Sequence, residues 1–195
     1  SVCPPGETLD GHVFAGKAAE AGAAALLASR NPFGGVPPVP LILVDDTVKA
    51  LGKLAHCWRK RLSGTRVIGL TGTAGKTTVK ELLAQVLGRR GLTAKTPMNL
   101  NNQIGLPLSM LAATGEDAFW VMEAGISRPH DMDQLGAILE PDLALILNVG
   151  PGHAAGLGDR GTAHYKARLL AHLAPGGTAI ISADRGANAT QTTVI

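Results

Sequence analysis

The chain has 195 residues, 45% of them hydrophobic but only 3% aromatic, and a formal net charge of +3 at pH 7. That length suits one full domain or one and a half small ones, with an interior packed from Ala, Leu, Val and Ile. Charge falls in no basic block, stacking aromatics are scarce and no apolar run approaches a membrane span, so neither nucleic acid nor membrane is an expected partner.

In chain order, Ser1-Val2-Cys3 lacks an initiator Met and enters on a Pro-Pro-Gly turn, so the chain reads as a piece of something longer. Residues 18–28 predict an alanine-rich helix, 31–40 a Pro/Gly loop and 41–44 a short buried strand. Asp45-Asp46-Thr47 supplies caps for a helix over 48–61, apolar at Leu51, Leu54, Ala55, Trp58 and Leu62. Strands and helices then alternate: strand 67–70, helix 77–90, a short apolar helix 106–111, strand 119–123 and helix 132–139. Strand 143–148, helix 162–173 and strand 178–182 complete the series. This order predicts an α/β fold, a mostly parallel sheet with helices on both faces, preceded by part of a small N-terminal α/β domain. The tail from Arg185 is polar and short of core residues. Cys3 and Cys57 have no metal-ligand spacing, which points to a reducing cytoplasm.

The chemistry gathers where such sheets bind ligands, beyond the C-terminal ends of the strands. Gly69-Leu70-Thr71-Gly72-Thr73-Ala74-Gly75-Lys76-Thr77-Thr78 lies between a strand and a helix with the intact Gly-Lys-Thr of a phosphate-binding loop. Its backbone N–H groups and the helix start suit phosphate oxygens. Lys76 can reach the outer phosphates, and the Thr77 hydroxyl suits magnesium. Leu70 occupies the usual first glycine slot, flanked by Gly69 and Gly72. The alternative is a glycine-rich turn without ligand.

Glu123 ends a strand, where phosphate-loop proteins place a further magnesium contact; a solvated strand-end acid is the plain alternative. His153, in the run Asn148-Val149-Gly150-Pro151-Gly152-His153, suits either a metal or a structural role. Lys166 reads as a surface lysine unless carbamylated, a modification that would give it a metal-binding carboxylate. Asn99, Asn101 and Asn102 offer donors and acceptors to a polar substrate, or simply close a turn.

Together, Gly72-Thr73-Ala74-Gly75-Lys76-Thr77-Thr78, Asn99-Leu100-Asn101-Asn102-Gln103-Ile104-Gly105-Leu106-Pro107, Val121-Met122-Glu123-Ala124-Gly125 and Asn148 to His153 resemble the Mur ligases, in the same order. Gly6-Glu7-Thr8-Leu9-Asp10-Gly11-His12 resembles the family's first domain, which binds the UDP-sugar end of the substrate. The resemblance implies a partial UDP-sugar domain over 1–46 and a partial ATP-binding domain over 47–195. It implies ATP and Mg2+ as cofactors, with nucleotide contacts from Gly72, Thr73, Ala74, Gly75, Lys76, Thr77, Thr78 and Asn148. Thr77, Glu123, His153 and carbamylated Lys166 would hold magnesium, and Lys76, His153 and Lys166 would be the catalytic set.

Asn99, Asn101 and Asn102 would line the substrate side. The Asn-rich run points to the branch joining D-alanyl-D-alanine to UDP-N-acetylmuramoyl-tripeptide through an acyl phosphate, in peptidoglycan precursor synthesis by a cytoplasmic monomer. Met98 stands where the family has a glycine, Ala155 where it has an acidic residue, and the loop from His153 to Lys166 is one residue shorter. In this family further sequence precedes and follows a segment such as this one, so the expectation is that the chain alone binds nucleotide weakly and ligates nothing. Two other readings are a different phosphate-loop NTPase or kinase, and a non-catalytic, truncated Mur-like binding module.

Overall fold

The computed structural model describes Val2, residues 10–149 and residues 161–181. The chain divides into two compact units, Ser1–Lys53 and Leu54–Ile195.

In the first unit a short 3-10 helix, Gly11–Phe14, runs into helix α1, Ala15–Glu20. The helix expected over 18–28 stops there. Gly22 takes φ 88, and the N–H groups of Gly22 and Ala23 turn back to the carbonyls of Ala19 and Ala18. That left-handed closure ends the helix despite the alanines that follow. The end of the predicted helix is instead strand β1, Leu26–Ala28, paired in parallel with β2, Leu41–Leu43. Pairing with a distant strand outweighs local helix propensity here. β2 is also less buried than expected, with Ile42 54% and Leu43 60% exposed. Its one strand partner among the described residues is β1. The core of the unit is Ala15, Leu26 and Ala28, packed by Phe33, Val39 and Leu41. His12 braces it: Nδ1 meets Asp10 Oδ1 at 2.5 Å, and Nε2 accepts the Ser29 backbone N–H at 3.1 Å. Helix α2, Thr47–Arg61, follows, its first turn capped by Asp46 as predicted and its residues from Leu54 onward counted in the second unit.

The second unit is a five-stranded parallel sheet in the order β4-β5-β3-β6-β7. Its elements are β3 (Arg66–Thr71), α3 (Lys76–Leu87), β4 (Thr93–Lys95), α4 (Gly105–Ala112), β5 (Phe119–Glu123), α5 (Asp131–Leu139), β6 (Leu143–Ile146), α6 (Gly161–Ala167) and β7 (Thr178–Ile181). On one face Val67, Trp120, Met122 and Ala144 pack under Leu106 and Met110 of α4 and Met132, Leu135 and Leu139 of α5. On the other, Ile68, Leu70 and Val121 pack under Leu83 and Leu87 of α3. The α/β expectation therefore holds, helices on both faces included. Three details differ. β4 was not foreseen, since Thr-Ala-Lys carries no apolar run. The helix over 162–173 becomes α6 followed by a 3-10 segment, Arg168–His172. Helix α3 ends at Leu87, short of Arg89 and Arg90. The polar tail from Arg185 lies outside the described residues.

Candidate functional site

β3 is the central strand, and its neighbours β5 and β6 deliver their C-terminal ends to the same edge. At that edge the chain leaves β3 at Thr71, turns through Gly72 to Ala74 and starts α3 at Lys76. Gly75 makes the turn at φ 78, a conformation that favours glycine. The loop is clamped to the chain beyond β6. Thr73 N–H donates to the Asn148 carbonyl at 2.9 Å, and Ala74 N–H donates to Asn148 Oδ1 at 3.0 Å. A Cβ on Gly72 would come within 2.8 Å of Leu147 Cβ, so the close approach of the two segments requires glycine. Lys76 Nζ donates to the Gly72 carbonyl at 3.0 Å and so lies over the loop.

The irregular first glycine slot now has a physical account. Leu70 is fully buried within β3, paired with Glu123 on one side and Leu145 on the other. Gly69 serves packing rather than phosphate: a Cβ there would meet Leu139 Cδ2 at 2.8 Å and Pro141 at 3.2 Å.

Glu123 is the hub of the site. It is 2% exposed, and it shares a face with Leu70, the face that α3 covers. Thr77 Oγ1 lies 3.4 Å from Glu123 Oε2, while Asn101 Nδ2 donates to Oε1 at 2.9 Å. The backbone N–H of Glu123 donates to Thr96 Oγ1 at 2.9 Å. A carboxylate and a hydroxyl beside a phosphate loop are hard oxygen donors of the kind magnesium takes, so Thr77 and Glu123 fit that ion. Among the described residues no cluster of three or more His, Cys, Asp or Glu could hold a metal. The remaining ligands would come from nucleotide oxygens and water.

Of the three asparagines, the structure brings one to the hub. Asn101 touches Glu123, and a Cβ on Gly125 would strike its side chain at 2.7 Å, so Gly125 makes room for it. Asn102 Oδ1 accepts from the N–H groups of Ile104 and Gly105 and closes the turn into α4. Asn99 is exposed, and its carbonyl accepts the Asn101 N–H.

Lys166, on α6, is 3% exposed rather than on the surface. Burial, and then the nearby Lys76 ammonium, push its pKa down to about 8. Thr78 is exposed in the first turn of α3. His153 lies outside the described residues.

Two residues escaped the sequence reading. Lys80 is fully buried, donating to the Met98 carbonyl at 2.7 Å and lying 3.6 Å from Glu123 Oε2. Thr96, also fully buried, orients Glu123 and donates to Met122 Sδ at 3.6 Å. The available signal for Lys80 was its place one helical turn after Lys76, on the same face.

Comparison with known proteins agrees with this geometry. Residues 70–193 match the Mur ligase middle domain. The UDP-N-acetylmuramoyl-tripeptide–D-alanyl-D-alanine ligase of Bacillus subtilis is 43% identical over 92% of this chain and 39% of its own length. The Escherichia coli ligase of the same name is 38% identical, over 94% of this chain and 40% of its own. Among solved structures, MurF from Acinetobacter baumannii superposes with a TM-score of 0.84 at 34% identity, covering 92% of this chain and 39% of that one. MurF ligase from Thermotoga maritima, in complex with ADP, does so at 0.83 and 36%, covering 94% and 42%. The chain thus spans about two fifths of the length of these relatives. With the phosphate loop, the strand-end glutamate and the asparagine loop meeting at one edge of the sheet, the chain belongs to the Mur ligase family.

Proposed function

We propose that this chain is the nucleotide-handling part of a ligase that joins D-alanyl-D-alanine to UDP-N-acetylmuramoyl-tripeptide at the expense of ATP. The observation that carries the reading is the phosphate loop whose Thr77 hydroxyl turns to the buried Glu123 carboxylate at 3.4 Å. The Bacillus subtilis and Escherichia coli relatives are named as ligases of those two compounds, and the Thermotoga maritima relative is in complex with ADP. No helix among the described residues is long and apolar enough to cross a membrane. We take the enzyme to be a cytoplasmic monomer acting on small molecules.

In this reading the phosphates are received by the backbone N–H groups of residues 75–78, helped by the positive end of α3, while those of Thr73 and Ala74 hold the loop to Asn148. Lys76 steadies the β- and γ-phosphate oxygens as the tripeptide carboxylate attacks the γ-phosphorus and the bond to ADP breaks. The amine of D-alanyl-D-alanine then attacks the acyl carbon, losing a proton and expelling phosphate. Catalysis in such a transfer is chiefly positioning and charge neutralisation. Magnesium held by Thr77 and Glu123 would offset negative charge on the phosphate oxygens. Asn99, Asn101 and Asn102 are assigned to the substrate side, and His153 to a second magnesium. Residues 1–46 are assigned to the UDP-sugar end.

Lys166 is suited to carbamylation. A buried lysine with a pKa of about 8 holds far more free amine at neutral pH than an ordinary lysine. Addition of CO2 to that free amine, with loss of one proton, forms a carbamate anion where the protonated lysine would carry a positive charge beside Lys76; the anion attracts Lys76 and can bind magnesium.

The test is a chimera in which this chain replaces the matching segment of the Bacillus subtilis ligase. It should release phosphate from ATP only when both UDP-tripeptide and D-alanyl-D-alanine are present. Lys76→Ala should abolish release, and Lys166→Ala should do so with partial rescue by added acetate. Phosphate release without the amine would favour a different NTPase, and ligation by the isolated 195-residue chain would overturn the proposed division of labour.

A further inference from the structure

Helix α3 turns Leu82 and Val86 outward, 56% and 64% exposed, and presents Lys80, Leu83 and Leu87 inward. Placing a lysine in that stripe removes an ammonium from water, which is costly unless the charge is paired and hydrogen-bonded. The partners of Lys80 belong to two different segments. Its Nζ lies 3.6 Å from Glu123 Oε2 at the end of β5, and it donates at 2.7 Å to the carbonyl of Met98 in the loop before α4. From that loop, Asn101 returns to the other oxygen of the same carboxylate at 2.9 Å. The three groups form a closed circuit of carboxylate, ammonium and loop. Both Glu123 oxygens are engaged, and Oε2 lies within reach of both Thr77 and Lys80.

We infer that Lys80 is a positioning residue, which aims the Glu123 carboxylate toward Thr77 and ties it to the loop 97–104, coupling the magnesium–nucleotide edge to the asparagine-bearing loop. The inference rests on the reading of the phosphate loop as a magnesium–nucleotide site. Lys80 acts through Glu123 and Met98 and is not itself placed against nucleotide. Groups that orient a metal-binding carboxylate govern metal affinity strongly.

The experiment measures ADP affinity with and without magnesium for the native chain, Lys80→Met and Lys80→Gln. Magnesium should tighten ADP binding by the native chain, and the gain should shrink by about tenfold or more in the variants while metal-free binding stays within about twofold. An undiminished gain in either folded variant overturns the role of Lys80, because a merely structural lysine would leave the gain intact. Should both variants fail to fold, the native chain decides. Adding magnesium to the ADP-saturated protein should shift the backbone amide NMR signals of Met98 and Asn99, and unmoved signals overturn the coupling. A native chain without any magnesium gain overturns the nucleotide-site reading first, and the role of Lys80 with it, which keeps the two failures distinguishable.

Discussion

At Met98 the backbone takes φ 43, although the side chain is 77% exposed and gains little from burial. A residue with a Cβ pays for the left-handed region, and the position is one where the family resemblance expects glycine. Its carbonyl is held by Lys80, so the strain sits where the loop is gripped. Met98→Gly should therefore raise the unfolding free energy by up to about 1 kcal/mol, measured by urea denaturation, since relief of strain outweighs the entropy of glycine. A loss of more than about 1 kcal/mol would mean that the φ angle is not a source of strain. At this scale the sequence was legible where a residue's type is tied to its chemistry. The placement of Gly75, Lys76 and Thr77 at the start of α3 and of Glu123 at the end of β5 was readable from the motif and the strand pattern. Lys80 was not legible, because a lysine on an amphipathic helix ordinarily lies in water, and its burial is tolerable through the Glu123 carboxylate on the sheet face beneath α3 and the Met98 carbonyl. Asn101 could not be told from Asn99 and Asn102 until the turn was seen to aim one of them at Glu123 and another at the N–H groups opening α4.

Among the elements, those with a long apolar period were readable and short or interrupted ones were not. β3, β5 and α5 sit close to where periodicity put them. β4 is three residues long and carries Thr and Lys, and its identity comes from pairing with β5. The helix expected over 18–28 failed because Gly22 imposes a left-handed turn and Leu26–Ala28 finds a strand partner fifteen residues away in sequence. Gly69 illustrates a glycine that mimics the wrong element: it neighbours the phosphate loop but belongs to the contact between β3 and the end of α5. Gly69→Ala should destabilise the chain by about 1–3 kcal/mol through overpacking against Leu139 and Pro141. The ADP affinity of the folded fraction should stay unchanged. Thermal unfolding together with calorimetry checks both halves, and a selective loss of ADP binding at full stability would return Gly69 to the phosphate loop.

For the molecule as a whole, the alternation of strands and helices from residue 66 onward carried the fold class. What it could not carry was strand order, which depends on crossovers that local sequence does not encode. The observed order puts β3 at the centre, so the loop after β3, the carboxylate ending β5 and the segment after β6 converge without any contact between them being visible in the sequence. The most direct test of the account titrates ADP with magnesium into the native chain and into Lys76→Ala. The native chain should bind measurably though weakly, and the variant should bind at least about tenfold more weakly for loss of a charge-assisted contact to phosphate. Equal affinities, or no binding by the native chain at millimolar ADP, would contradict the assignment of this loop to nucleotide.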